Sequence, residues 1–435
     1  MHLSLIPEIP RPAGSSVPVT AVDAPPDSVY TGPRRYQIRF PEHEAYVAAQ
    51  AAEAPTTYRS AVSLPKRSVL AVELPTLVSG PMSALKNETS TLDYFVSEYG
   101  AQIIEDYQYA MDLTEIFAES IFASADQAQA TLDEVTRMIQ ADRCWDETTG
   151  EEVVIAVVDT GIDGRHLEFP AGKRAGSWQE SGDTPWTDGR GHGTMCAAIA
   201  AGTRAAGGAY NGVAPGARLI ACKTKFFDTQ LAAVYDYLID QSEANGWNIV
   251  ANNSFGIQSG VAPPPPGTVF MEALDDAIAA GIAVVFSAGN YHELTGGPLL
   301  GCSPTSIWQY KCRADLLTVA TCRDDRTMWS YSSRGPGKHA GGANAGDKPD
   351  VTAPTPVNGA VLYGDRMQVL PNGWGTSGAA PQAAGLAALL WSRNPGLTSQ
   401  EIFEIIRRSA APLGHGPSCE GRGLIQCLDA LNLIP

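Results

Sequence analysis

Between residues 153 and 322 the chain alternates two kinds of segment, and this alternation limits the possible folds more than any other feature. Apolar runs ("VVIAVVD", "ARLIACKTKF", "NIVANNSFG", "IAVVFSAGN", "LLTVATC") are separated by stretches rich in small or helix-forming residues ("HGTMCAAIAAG", "QLAAVYDYLIDQSEANG", "VFMEALDDAIAAG"). Unbroken Val, Ile and Ala runs suit strands covered on both faces, and helices between them suit crossovers of a parallel sheet. The expected fold class is α/β, three layers around a mostly parallel central sheet. The chain has 435 residues, 44% of them hydrophobic, enough for one large core and a smaller domain.

Four parts are expected. Residues 1–33 are expected to form a Pro-rich, disordered leader in which no basic n-region or apolar h-region is visible. Residues 34–111 read as a small α+β (ferredoxin-like) domain. In it "RRYQIRF" and "SVLAVEL" alternate like strands, "EHEAYVAAQAA" and "SALKNETSTLDYFVSEYG" read as helices, and "AQIIEDYQYAM" reads as one last strand. Residues 112–132 are an acidic helical connector, and residues 133–435 carry the large α/β unit.

The net charge is −17, and fifteen Asp and Glu lie between Asp93 and Glu152 against Arg137 and Arg143. No Lys/Arg run offers a nucleic-acid face, so that class of partner is excluded. The acidic stretch reads as a solvated surface. No run of 18 apolar residues predicts a membrane span. Without a Sec-type signal, the expected location is the cytoplasm or export by a non-classical route. Of eight cysteines, Cys196, Cys222 and Cys322 fall in apolar segments and are expected as buried thiols. Cys302 with Cys312, and Cys419 with Cys427, lie in loop-like sequence and are the pairs expected in an oxidising compartment.

Three polar residues stand where apolar segments end or helices begin, the positions at which parallel sheets gather chemistry. Asp159 ends "VVIAVVD", His192 sits between glycines before a small-residue helix, and Ser377 lies in "GWGTSGAAPQAAG" at the mouth of another, with Pro381 in its first turn. Singly, each has a plain reading: a turn aspartate, a structural histidine, an N-cap serine. Together they supply a nucleophile, its base, and the acid that holds the base in the right tautomer.

In this order and context the chain resembles the subtilisin-like serine proteases (peptidase family S8). The likeness runs through "QADRCWDETTGEEVVIAVVDTGID", "GHGTMCAAIAAG", "NNSFG", "VVFSAGN", "TVATCRDDRTMWSYSSRGP" with "KPDVTAP", "GTSGAAPQAAGLAALL" and "EGRGLIQCLDAL". The order Asp–His–Ser opposes an α/β-hydrolase, and "GHGT" opposes a sedolisin-type acid protease, which uses glutamate in place of histidine.

The resemblance implies catalytic roles for Asp159, His192 and Ser377. It implies Asn290 as oxyanion donor. It implies that Ser254, Phe255 and Gly256, with Ser287, Ala288 and Gly289, bind an extended peptide substrate. No cofactor is implied. The stretch "AGTRAAGGAYNGVAP" is shorter than the subtilisin loop that carries a tight calcium site, so that site is not expected, while another metal site stays open. Gly378 and "APQA" replace the usual Met and Ser-Pro-His-Val, and Ala198 stands where glycine is common. Gly378 is expected to remove a packing side chain behind the nucleophile.

By the same resemblance, residues 34–111 are expected to be a propeptide, an intramolecular inhibitor whose last strand lies in the cleft, with self-cleavage between Tyr109 and Thr131; the other reading of this domain is an unrelated binding domain fused to a protease. The alternative is a latent or inactive relative acting as a regulatory or binding protein.

Overall fold

The computed structural model describes residues 34–52, 59–74, 91–106, 108, 110–111, 131–256, 268–293, 297, 301–303, 305–307, 309–337, 347–356, 358–359, 368–369 and 373–435. The Pro-rich leader and almost all of the 112–132 connector lie outside them. The chain divides into two compact units that change over between Asp106 and Tyr107. The change lies upstream of the boundary expected at Met111.

The first unit is a four-stranded antiparallel sheet in the order β2-β3-β1-β4, with β1 Arg34–Arg39, α1 His43–Ala51, β2 Arg59–Leu64, β3 Val69–Leu74, a helix α2 over residues 91–99, and β4 Gln102–Glu105. Strand β2 escaped the sequence reading. Its "RSAVSL" is short and carries an irregularity in register between Ser60 and Val62, which breaks the period-2 signal. Ile38, Phe40, Tyr46, Leu70, Val72 and Phe95 form its core. Buried Arg35 closes one side by ion pairs to Asp106 (2.7 Å) and Glu73 (3.4 Å). The expected single strand over 101–111 is two: after β4 the chain resumes as β5 Ala110–Met111, which belongs to the second unit.

The second unit holds α3 Leu132–Met138, β6 Val154–Asp159, β7 Arg174–Gln179, α4 His192–Ala201, β8 Arg218–Lys223, α5 Asp228–Asn245, β9 Ile249–Asn253, β10 Phe255–Gly256, α6 Val269–Ala279, β11 Ala283–Ser287, β12 Leu317–Cys322, β13 Val351–Pro354, β14 Asn358–Gly359, β15 Gln368–Val369, α7 Gly375–Arg393 and α8 Ser399–Ser409. Seven strands make one sheet, β13-β12-β11-β9-β6-β8-β7, and every neighbouring pair in it is parallel. All six residues of β6 and of β12 are buried, which is why their apolar runs are unbroken.

Helices α4 and α7 are buried almost throughout. Their small residues let backbones come close: a Cβ at Gly385 of α7 would stand 2.9 Å from the Ala200 carbonyl of α4. Helix α8 shows the complementary pattern, burying Ile402, Phe403, Ile405 and Ile406 on one face behind a Thr398–Glu401 capping box. Among the described residues no helix is long and apolar enough to cross a membrane.

The cysteines depart from the sequence reading. Cys302 is bonded to Cys419, with Cα atoms 5.1 Å apart, while Cys312 and Cys427 are buried outside that bond. The local pairs were expected from proximity in sequence. The fold instead brings the segment after β11 against the C-terminal turn, where Gly335 N also donates to Ser418 O (2.8 Å). Cys196, Cys222 and Cys322 are buried thiols, as expected.

Candidate active site

Asp159 is the last residue of β6, the sheet's fifth strand from the β13 edge, and is fully buried. Its carboxylate accepts from the Thr160 N–H (2.7 Å) and meets His192 Nδ1 through both oxygens, at 2.7 and 2.8 Å. An acceptor held on Nδ1 fixes the proton there, which makes Nε2 the basic nitrogen of the neutral ring.

His192 opens α4. Gly191 before it has φ 84°, a conformation other side chains resist. Gly193 after it lies so close to the aspartate segment that a Cβ would stand 2.9 Å from Asp159 Cβ and closer still to the Gly161 carbonyl. Glycine at 193 is what lets base and acid come within hydrogen-bonding distance.

The sequence reading missed the residue that seats this helix. Buried Asp188 accepts from the N–H groups of Arg190 (2.9 Å), Gly191 (2.8 Å) and Thr194 (3.0 Å), and from the hydroxyls of Thr160 (2.9 Å) and Thr194 (2.7 Å). It caps α4 from four residues upstream and ties it to the segment after Asp159. An aspartate ahead of "GRGHGT" was the available signal.

Ser377 is the third residue of α7 and fully buried, and no hydrogen-bond partner for its Oγ lies among the described residues. Catalytic contacts of this kind often tighten only when substrate is present. Pro381 is not in the first turn, as the sequence suggested, but is the seventh residue of the helix, because α7 begins at Gly375. Lacking an N–H, it leaves the Ser377 carbonyl without its intrahelical donor. Ser254 Oγ (3.4 Å) and Cys196 Sγ (3.6 Å) donate to that carbonyl instead. Cys196 Sγ also lies 3.7 Å from Asp159 Oδ2. Burial, then the Asp159 charge, raises its thiol pKa and keeps it protonated. One chain of polar contacts thus runs from Asp159 through Cys196 to Ser377 and Ser254.

Gly378 does not leave the gap expected from sequence. A Cβ there would come within 3.0 Å of Trp374 Cβ and nearer still to Thr355 Oγ1, so the space behind the serine is filled from other segments.

Asn290 follows β11 and is buried. Its Oδ1 accepts from the Thr376 N–H and the Thr376 hydroxyl, both at 3.0 Å, which fixes Nδ2 as the donor end of the amide. Thr376 Oγ1 also accepts from Gly289 N (3.1 Å). Thr376, next to Ser377, had no signal of its own in the sequence, and it links the segment of Ser377 to that of Asn290. Ser287 and Ala288 are buried, and Ala288 N donates to Val319 O (2.9 Å). Ser254 and Phe255 are also buried, and Phe255 packs on Phe226, Phe270 and Phe286.

Asp159, His192 and Cys196 offer three ligand atoms within 4.8 Å of one another. The first two are already engaged with each other.

Residues 150–423 match the Subtilase family. The chain belongs to this family. As a subtilase it is 30% identical to the calcium-dependent protease of Nostoc sp. over 338 residues, 67% of this chain and 48% of that protein. It is 31% identical to subtilisin E of Bacillus subtilis over 278 residues, 64% of this chain and 65% of that protein. The chain thus spans about half to two thirds of these relatives. Fervidolysin from Fervidobacterium pennivorans, a keratinolytic enzyme related to subtilisin, shares the fold with a TM-score of 0.61 at 18% identity, over 93% of this chain and 61% of that one.

Proposed function

We propose that this subtilase is a serine endopeptidase made as a self-processing zymogen. Ser377 attacks the peptide carbonyl, His192 Nε2 takes its proton and returns it to the leaving amine, and Asp159 stabilises the imidazolium. Asn290 Nδ2 and the Ser377 N–H hold the oxyanion. The observation that carries the reading is the Asp159–His192 Nδ1 pair at 2.7 Å, in a fully buried setting that also contains Ser377.

The pairing of β5 supports the zymogen part. Met111 lies opposite Phe255 and Ala110 opposite Gly256 in an antiparallel ribbon. Gln108 bridges to Phe227, and its side-chain amide donates to the Lys225 carbonyl (2.8 Å). A segment of the chain therefore runs along the strand assigned to substrate, the way an added strand binds. The same pairing favours a second reading, a latent enzyme whose groove stays filled until a trigger removes it.

The test is intact mass of the wild-type chain beside Ser377→Ala. Loss of roughly the first 110–130 residues from the wild type alone supports self-processing. If both remain whole, a fluorophosphonate probe decides between the readings. Labelling of Ser377 indicates latency. No labelling, even with residues 1–131 removed by an added protease, ends the peptidase proposal.

A further inference from the structure

The loop between α4 and β8 corresponds to the stretch whose longer subtilisin counterpart carries a calcium ion. The Ala209 carbonyl, the Asn211 amide oxygen and Glu168 Oε1 are engaged here by groups of the chain itself, while Glu168 Oε2 is buried with no hydrogen-bond partner among the described residues. Arg204 opens a single 3-10 turn, Arg204–Ala206. Its N–H donates to Asn211 Oδ1 (2.9 Å), its Nε to the Ala209 carbonyl (2.8 Å), and its Nη2 to Asp133 Oδ2 on α3 (2.5 Å). Its guanidinium lies 5.6 Å from the centre of the Tyr210 ring.

From the inner side, fully buried Glu168 accepts through Oε1 from the N–H groups of Ala209 (3.2 Å) and Tyr210 (3.0 Å). The Glu168 carbonyl accepts from Thr203 N (3.3 Å). Glycines make room for this carboxyl: a Cβ on Gly202 would stand 2.8 Å from Glu168 Oε2, and one on Gly208 would collide with Glu168 Cγ.

A calcium ion takes about 6–8 oxygens turned inward on it. Here the Ala209 carbonyl and the Asn211 amide oxygen face a cationic side chain and a backbone N–H. One oxygen of the carboxyl, Oε1, takes two backbone N–H groups, which leaves Oε2 as a single inward oxygen, far short of such a shell. These residues do not fit a calcium ion. We propose that the chain closes this loop with its own groups: the Arg204 guanidinium takes the cation's part from outside, and Glu168 Oε1 is the hydrogen-bond acceptor inside. The closure also fixes the far end of the helix that His192 begins. Gly202 N donates to Ala198 O (2.9 Å), Val213 N to Ile199 O (3.0 Å) and Ala214 N to Ala200 O (2.9 Å).

The test is amide hydrogen exchange of residues 203–212 in the full-length Ser377→Ala chain, with EDTA and with millimolar CaCl2. It needs family membership but not turnover, so its outcome is separate from that of the peptidase reading. The expected result is equal protection in both buffers. Arg204→Met should exchange about tenfold faster or more across the loop, the scale of one lost charge-assisted hydrogen bond. Glu168→Gln, whose amide oxygen accepts the same two N–H groups, should keep protection, and Glu168→Ala should lose it. Protection that rises with calcium in the parent chain overturns the proposal, as does unchanged exchange in Arg204→Met. If Arg204→Met does not fold, Arg204→Lys serves in its place. Lysine keeps the charge but not the forked geometry, so parent-like exchange there would also sink the idea.

Discussion

Pro381 lies four residues after Ser377 and has no N–H to give to its carbonyl, which Ser254 Oγ meets at 3.4 Å from the link between β9 and β10. The proline thus hands the Ser377 backbone to the segment on which substrate is proposed to lie. Ser254→Ala should lower stability by about 1 kcal/mol, the net worth of one buried hydrogen bond. Pro381→Ala restores a helical donor, so the double variant should recover part of that loss. Urea unfolding of the four chains of the cycle measures the coupling, and strictly additive effects would show that the two residues do not share this carbonyl.

Asn290 depends on Thr376 for its orientation. Asn290→Ala should lower kcat about 10²–10³-fold, a magnitude taken from subtilisin, the standard worked case of this effect. Thr376→Val keeps the backbone donor but removes the hydroxyl from Asn290 and Gly289. It should lower kcat roughly 10- to 100-fold with KM little changed, because a donor slightly out of place fails mainly in the transition state. An equal rise in KM instead would point to a damaged substrate strand.

Glu168 gives stability a pH dependence of unusual sign. Burial raises its pKa from 4.5 to about 7, although the N–H groups of Tyr210 and Ala209 and the charge of Arg204 pull the other way. Between about pH 4.5 and 7 the folded chain holds this proton more tightly than the unfolded chain does. Its contribution is therefore greatest at the acid end and is lost as pH rises through 7, by on the order of 2–3 kcal/mol. Neighbouring His166, whose pKa burial lowers, works in the opposite sense. Urea midpoints from pH 5 to 9 should fall less steeply in Glu168→Gln than in the parent, and parallel curves would refute the assignment.

The Cys302–Cys419 bond closes a loop across a sequence separation of 117 residues. Replacing both by serine should destabilise the chain by about 2–5 kcal/mol, whereas Cys312→Ser with Cys427→Ser opens no covalent loop. Peptide mapping of oxidised protein without reduction should recover the 302–419 pair. Finding 302–312 would show that the sequence-local pairing was the right one.

The alternation of apolar runs with small-residue helices was enough to read an α/β fold with a parallel sheet, because burial on both faces leaves a local, periodic trace. The three polar punctuation marks each had a plain reading from their own few neighbours and became a candidate site only when taken together; the structure brings Asp159 to His192. Only the tertiary structure decided the relations that cross the chain. Asp188 caps the helix of His192 and Thr376 orients Asn290, but neither role has a periodic signature. Cys302 reaches Cys419 because the fold, not the shorter loop, sets which sulfurs meet. Met111 pairs with Phe255 instead of prolonging β4, since a strand's partner is chosen by the edge it encounters and not by its own residues.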